Sequence, residues 1–131
     1  MSNIKNMEMA EAISADSRIV IKKSFLGFGL KAVYEPTQSP VKATSCYCSA
    51  ETGKQLKELL GTPDEQLKDA LKHIDKVEPK AIGPVRLEML QSADGQFVAL
   101  QTFYFAEFKY QPSSPLRIFE GEAAGLVSKV L

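Results

Sequence analysis

The sequence predicts an α+β fold: an antiparallel sheet of about five strands, with helices packed mainly on one face. Runs of β-branched and aromatic residues are separated by short turn sequences, which favours antiparallel hairpins. Segments with helical spacing of apolar residues are grouped between these hairpins and at the chain ends, whereas parallel α/β proteins alternate single strands with helices. The length of 131 residues suits one domain over residues 1–131.

The predicted elements follow the order α-β-β-β-α-α-β-β-α. Helices are predicted over residues 3–15, 50–60, 62–77 and 122–131, and strands over residues 18–25, 30–35, 41–48, 85–91 and 96–110, with a short last strand over 116–119. Several boundaries rest on specific residues. Ser49 is a predicted N-cap and Gly61 a stop for one helix, while Thr62 and Pro63 are the predicted N-cap and first residue of the next. Asp94-Gly95 between two apolar runs predicts a hairpin turn.

The charge balance and the apolar pattern limit the possible partners. Lysine and arginine total 16 residues, and aspartate and glutamate total 16, so the formal net charge is zero. A protein that coats duplex nucleic acid usually carries a basic surplus, which is missing here. No apolar run reaches about 18 residues, and charges within residues 1–15 interrupt the apolar stretch that a signal peptide needs. We therefore expect a cytoplasmic protein with no membrane partner.

Two cysteines and one histidine are the candidates for metal or catalytic chemistry. Cys46 and Cys48 lie two residues apart in a predicted strand, but a closed zinc site needs about four ligands and no second cysteine pair exists. The sole histidine, His73, follows Asp69 by one helical turn, a spacing typical of a solvated helix face. These patterns favour buried structural cysteines and a surface histidine. They predict no catalytic residue, no metal and no cofactor.

The long predicted strand over residues 96–110 is apolar on both faces. The face that begins with Val98 and Leu100 is the better candidate for the core. The other face carries Phe97, Phe103 and Phe105 among polar residues. Because helices on one side leave the other side uncovered, we expect these three phenylalanines to form a protein interface, and the commonest arrangement is a symmetric homodimer packed sheet to sheet.

These features together predict a small non-enzymatic module that binds another protein and forms a homodimer through its sheet. Such a module would act as an adaptor, a chaperone-like protein or an inhibitor. The element order is similar to that of small secretion chaperones at the level of fold alone, although those proteins tend to be acidic.

Two alternative functions use other residues. Lys22, Lys31 and Lys109, with Tyr34 beside them in the predicted sheet, are the residue types that bind single-stranded nucleic acid, because bases stack on aromatic rings while lysines follow the backbone. The sheet-edge and core roles of lysines and aromatics are the commoner explanation. The second alternative is a small-ligand-binding domain or an enzyme with a pocket between sheet and helices. That alternative requires His73 or Cys46 to face a cavity.

Overall fold

The computed structural model describes residues 19–23, 30–74, 77 and 83–131. The strands are β1 Ile19–Lys23, β2 Leu30–Tyr34, β3 Ser39–Cys48, β4 Val85–Ser92, β5 Phe97–Ala106, β6 Lys109–Pro112 and β7 Arg117–Glu120. The helices are α1 Ala50–Leu60, α2 Leu67–Leu71, which follows a 3-10 turn at Asp64–Gln66, and α3 Glu122–Val130. The predicted helix over residues 3–15 lies outside the described residues.

The seven strands form one antiparallel sheet, which confirms the predicted α+β class. Strands β1 to β6 are neighbours in chain order, and β7 pairs with β5. Every pairing is antiparallel. The sheet therefore has two more strands than the predicted number of about five.

Two strands lie at the outer edge of β5: β7 matches the short last strand predicted over residues 116–119, whereas β6 arises because the prediction of one long strand over residues 96–110 is wrong. The chain turns back after Ala106, so that Ala106 pairs directly with Lys109 and a separate strand, β6, begins. Strand β6 covers only the C-terminal half of β5. Strand β7 covers the N-terminal half, where Phe97 pairs with Glu120. Two short strands thus share one edge of β5, end to end.

Helix α1 has the predicted bounds, whereas α2 is shorter than predicted. The backbone N–H of Thr52 donates to the Ser49 hydroxyl, which caps α1. Thr62 does not cap α2, because its hydroxyl donates back to the Glu58 carbonyl of α1 at 2.7 Å. After Leu71 the backbone bonds tighten to 3-10 spacing, ending with the bond from Ile74 N–H to the Leu71 carbonyl. Over residues 62–74, the described part of the helix predicted over 62–77, the chain therefore forms one α-helical turn between 3-10 turns.

The three described helices pack on one face of the sheet and form what we call the helix-side core. Its fully buried side chains include Leu56 and Leu59 of α1, Leu67 of α2 and Val127 of α3. Opposite them lie strand residues such as Leu87, Leu100 and Phe119. Burial of each of these side chains stabilises the folded state by roughly 1.5–3 kcal/mol. Packing on one face agrees with the prediction.

The other face of the sheet has its own buried cluster, which we call the opposite-face core. It consists of Ile19, Ala32, Tyr34, Ala43, Leu90, Phe97 and Ala99. The Tyr34 hydroxyl of β2 donates to the Glu120 carboxylate of β7. Four strand spacings separate β2 from β7, which is roughly 19 Å across a flat sheet. A hydrogen bond between two side chains cannot span that gap, so the sheet curves around this face.

Candidate protein-interaction surface

Three large hydrophobic side chains are exposed in the described part of the chain, and all three belong to the β5–β6 hairpin. Phe108 is 98% exposed, Phe105 48% and Tyr104 47%. Phe105 and Tyr104 point to opposite faces of β5, because side chains alternate along a strand. We call these three residues the hairpin surface. An aromatic cluster of this size on an otherwise well-packed domain is typical of a contact surface.

The turn that carries Phe108 has an unusual backbone. Glu107 and Phe108 are the two residues between the paired Ala106 and Lys109, and their φ angles are +52° and +68°. A two-residue turn with both φ angles positive is a type I′ hairpin, which favours Asn-Gly or Asp-Gly. A bulky residue in this region costs roughly 1–2 kcal/mol. The chain therefore keeps an exposed phenyl ring at a position where glycine would be more stable.

An arginine of β4 packs against two aromatic rings of the β5–β6 hairpin. The Cζ atom of Arg86 lies 4.9 Å from the ring centroids of both Phe103 and Tyr110. The second guanidinium nitrogen, Nη2, lies 3.0 Å from the Glu88 carboxylate. Arginine between two rings gains cation–π attraction on both sides, about 0.5–1 kcal/mol each. This stack holds the strands of the hairpin against β4.

Tyr110 also links the stack to its surroundings. Its hydroxyl donates to the Gly83 carbonyl at 2.6 Å, just before β4 begins. Its ring meets Phe105 edge-on at a centroid distance of 5.1 Å and Tyr47 at 5.8 Å. The exposed ring of Phe105 is therefore held by a fixed neighbour. A preordered aromatic surface loses little side-chain entropy when a partner binds.

Of the three phenylalanines predicted to form an interface, only Phe105 is exposed. Phe97 is 0% exposed and packs against Tyr34 at a centroid distance of 5.0 Å in the opposite-face core. Phe103 is 2% exposed and lies under Arg86. The prediction that this whole face is open is wrong, because Tyr34 packs against Phe97 at the N-terminal end of β5 and Arg86 lies over the ring of Phe103 in its C-terminal half. The open region is one end of the strand.

Tyr104 faces a pocket on the helix side of the hairpin. The pocket has a volume of about 310 Å³ and is lined by Ala50, Gly53, Lys54, Lys57, Val85, Tyr104 and Ser113. Its helical residues occur at positions i, i+3, i+4 and i+7 of α1, which is one helix face. A Cβ atom on Gly53 would lie 2.6 Å from Cγ2 of Val85, so glycine is what allows α1 to approach β4 this closely.

The residues of the nucleic-acid alternative lie at opposite edges of the sheet. Lys22 and Lys31 are register partners in the β1–β2 pair, whereas Lys109 is exposed in β6, beyond β3, β4 and β5. Tyr34 is 5% exposed, so its ring is not available for stacking on a base. Nucleic-acid binding by the chain stays a prediction.

The two cysteines and the histidine lie in different parts of the fold. Cys46 and Cys48 are both buried in the helix-side core, where burial raises the pKa of the Cys46 thiol. His73 is exposed in the turn after α2. Neither His73 nor Cys46 lines the pocket beside α1. Within residues 19–23, 30–74, 77 and 83–131, no group of three or more metal-ligating side chains comes together.

Tyr104 and Phe108 were not among the predicted interface residues. Both belong to the face of the predicted strand that begins with Val98, the better candidate for the core. That prediction is wrong for both, because Tyr104 is 47% exposed and Phe108 lies in the turn after the strand ends at Ala106. Sequence alternation carries no signal for the turn, since Glu107 and Phe108 are not turn-forming residues.

Comparison of the chain with protein-family models, with curated proteins and with solved structures finds no significant match. Among the described residues, no helix is both long enough and apolar enough to cross a bilayer.

Proposed function

We propose that the chain is a non-enzymatic protein-binding module that uses the hairpin surface to form a homodimer. The observation that carries this proposal is the grouping of Tyr104, Phe105 and Phe108 at one end of the sheet, on a preordered hairpin. Burial of these rings supplies the main driving force for association. The zero net charge supports self-association, because two copies do not repel each other through their overall charge.

The exposed area indicates how tight such a dimer is. Taking about 200 Å² for a fully exposed aromatic residue, Phe108 together with either Tyr104 or Phe105, which point to opposite faces, exposes roughly 300 Å². Two copies would bury roughly 600 Å² through these rings alone, which is less than the roughly 1,200 Å² of a standard interface. We therefore expect a weak dimer whose population rises steeply between micromolar and millimolar concentration.

Light scattering coupled to size exclusion tests the dimer. The molar mass should rise with loading concentration from the chain mass of 14.4 kDa toward twice that value. Phe105→Ser should shift this rise to higher concentration, because Phe105 is half exposed on the hairpin surface. The control is Ala93→Ser, an exposed substitution at the opposite end of β5, which should leave the mass profile unchanged. A mass of 14.4 kDa at every concentration would contradict the proposal.

Phe108→Gly separates binding from folding. Glycine accepts the left-handed φ of +68°, so the folded monomer should gain stability. We expect about 0.5–1 kcal/mol after the greater chain entropy of glycine is subtracted. The same variant should lose self-association because the exposed ring is gone. A variant that is more stable and still associates like the wild type would remove Phe108 from the interface.

A further inference from the structure

The tip of the hairpin and the pocket beside α1 have complementary chemistry. The tip presents the phenyl ring of Phe108 next to the carboxylate of Glu107, and both residues are exposed. The pocket has apolar walls that include Val85 and Tyr104, and two lysines, Lys54 and Lys57, line it. An aromatic group with an adjacent negative charge is therefore the kind of occupant that this pocket fits.

The charged groups of both features lie outside the ion pairs of the described residues. The ion pairs of the described residues are Asp69 with Lys72, Arg86 with Glu88, and Asp64 with Arg117. In that part of the chain neither lysine of the pocket, nor Glu107, forms an ion pair. Within the described residues, no opposite charge therefore neutralises Lys54, Lys57 or Glu107.

The two features also lie at the same end of the fold. Tyr104 forms part of the pocket wall, and Phe108 follows it by four residues on the same hairpin. The tip stands roughly 10 Å beyond Tyr104, at about 3.3 Å per strand residue. A hairpin cannot insert its tip into the pocket at its own base. A two-fold axis beside the hairpin places each tip next to the pocket of the other copy.

We infer that two copies of the chain insert their hairpin tips reciprocally, Phe108 of one into the α1 pocket of the other, with Glu107 facing Lys54 and Lys57. This inference rests on the proposed homodimer and specifies its contact. Reciprocal insertion forms two identical contacts around one axis, so the assembly closes at two copies. It also buries the half-exposed ring of Tyr104 and accounts for an exposed phenylalanine at a left-handed position, because the turn aims that ring outward.

Charge reversal with mixing tests the contact. The variant Lys54→Glu/Lys57→Glu and the variant Glu107→Lys should each dimerise with a Kd raised by at least about tenfold, because like charges face each other at both contacts. When these two variants are mixed in equal amounts, both contacts of the heterodimer again pair opposite charges. The mixture should therefore dimerise within about threefold of the wild-type Kd.

The control for the double lysine change is Lys42→Glu/Lys129→Glu, which alters the net charge equally at exposed lysines outside the pocket. Alone it should dimerise like the wild type, and when mixed with Glu107→Lys it should not restore dimerisation, because its pocket keeps Lys54 and Lys57. Circular dichroism of each variant checks that α1 and the sheet are intact.

The possible outcomes separate this inference from the proposed dimer. Weakened single variants with a restored mixture support reciprocal insertion. Dimerisation of both charge variants at the wild-type Kd overturns the insertion and leaves a dimer through the hairpin surface. A wild-type chain that grows into open-ended polymers overturns the two-fold closure. A wild-type chain that stays monomeric throughout overturns both.

Discussion

Replacing Arg117 with alanine removes a side chain that connects β7 to the end of α1. One guanidinium nitrogen donates to the carbonyl of Leu60 at 2.9 Å and to the carbonyl of Thr62, and the other lies 2.6 Å from the Asp64 carboxylate. The guanidinium carbon also lies 4.6 Å from the ring centroid of Phe119. The carbonyls at a helix C-terminus lack intrahelical partners and carry partial negative charge, so a cation bonded there is favourable.

The contacts of Arg117 differ in how much they contribute to the free energy of unfolding. Two charge-assisted bonds to carbonyls contribute about 2–3 kcal/mol together, and the cation–π contact about 0.5–1 kcal/mol. The Asp64 side chain is 65% exposed, so solvent screening limits its ion pair with Arg117 to less than about 0.5 kcal/mol. We therefore expect Arg117→Ala to lower the free energy of unfolding by about 3 kcal/mol. Asp64→Ala should lower it by less than about 0.5 kcal/mol.

Urea unfolding followed by circular dichroism measures both changes. With an m value of about 1.5 kcal/mol/M, Arg117→Ala should lower the midpoint by roughly 2 M without changing m. Arg117→Lys should recover only part of the loss, because one ammonium cannot reproduce the planar fork that reaches two carbonyls. Equal losses for Arg117→Ala and Asp64→Ala would refute the reasoning, since the exposed ion pair would then dominate.

Three further predictions concern the contact between α1 and β4, the turn between β4 and β5, and the buried thiol of Cys46. Gly53→Ala should destabilise the fold by up to about 2 kcal/mol in the same urea experiment, because the overlap with Val85 outweighs the roughly 1 kcal/mol gain in helix propensity; a stabilised variant would contradict this. The hydrogen bond from the Ser92 hydroxyl lowers the pKa of Asp94. The stability that this hydrogen bond contributes is therefore present above the ordinary carboxyl pKa and disappears as the pH falls through the lowered pKa. Asp94→Asn should weaken the acid dependence of the unfolding midpoint; an identical pH profile would argue against this role. Burial of Cys46 predicts that an aromatic disulfide reagent labels the native chain only at the rate of opening, whereas fast labelling without denaturant would place the thiol at the surface.

Elements that end on strong local signals could be predicted from sequence. Helix α1 begins after Ser49 and ends before Gly61 as predicted, because the cap and the stop act through neighbouring backbone groups. The β4–β5 hairpin turns at Asp94-Gly95, where Gly95 has a φ of +73°. Such signals do not depend on the rest of the fold.

The β5–β6 turn could not be predicted, because its sequence opposes its conformation. Glu107 and Phe108 occupy left-handed positions that local preference assigns to asparagine and glycine. Tertiary contacts override this preference. The Tyr110 ring lies between Arg86 and Phe105 and holds the returning strand in place. The most exposed aromatic residue of the described chain was therefore assigned to the core.

The predicted exposure of Phe97 and Phe103 is wrong for a different reason. Alternation along a strand identifies which residues share a face, but it does not reveal how strongly a sheet curves. Curvature brings Tyr34 over Phe97 and Arg86 covers the ring of Phe103, while Phe105 at the end of the strand stays open. The sequence pattern thus identifies which residues share a face of the sheet, whereas only the structure shows which end of that face is buried.

The division of the outer edge of β5 between β6 and β7 has a consequence for how this chain can vary. Strand β7 anchors Phe97 to Leu100 and leads directly into α3, so that half of the edge is bound to the scaffold. Strand β6 pairs separately with the C-terminal half of β5, from Phe103 to Ala106. Insertions, deletions or new residues at the hairpin tip therefore need not alter the register of β7. The hairpin can diversify as a replaceable module while the scaffold below it stays constant.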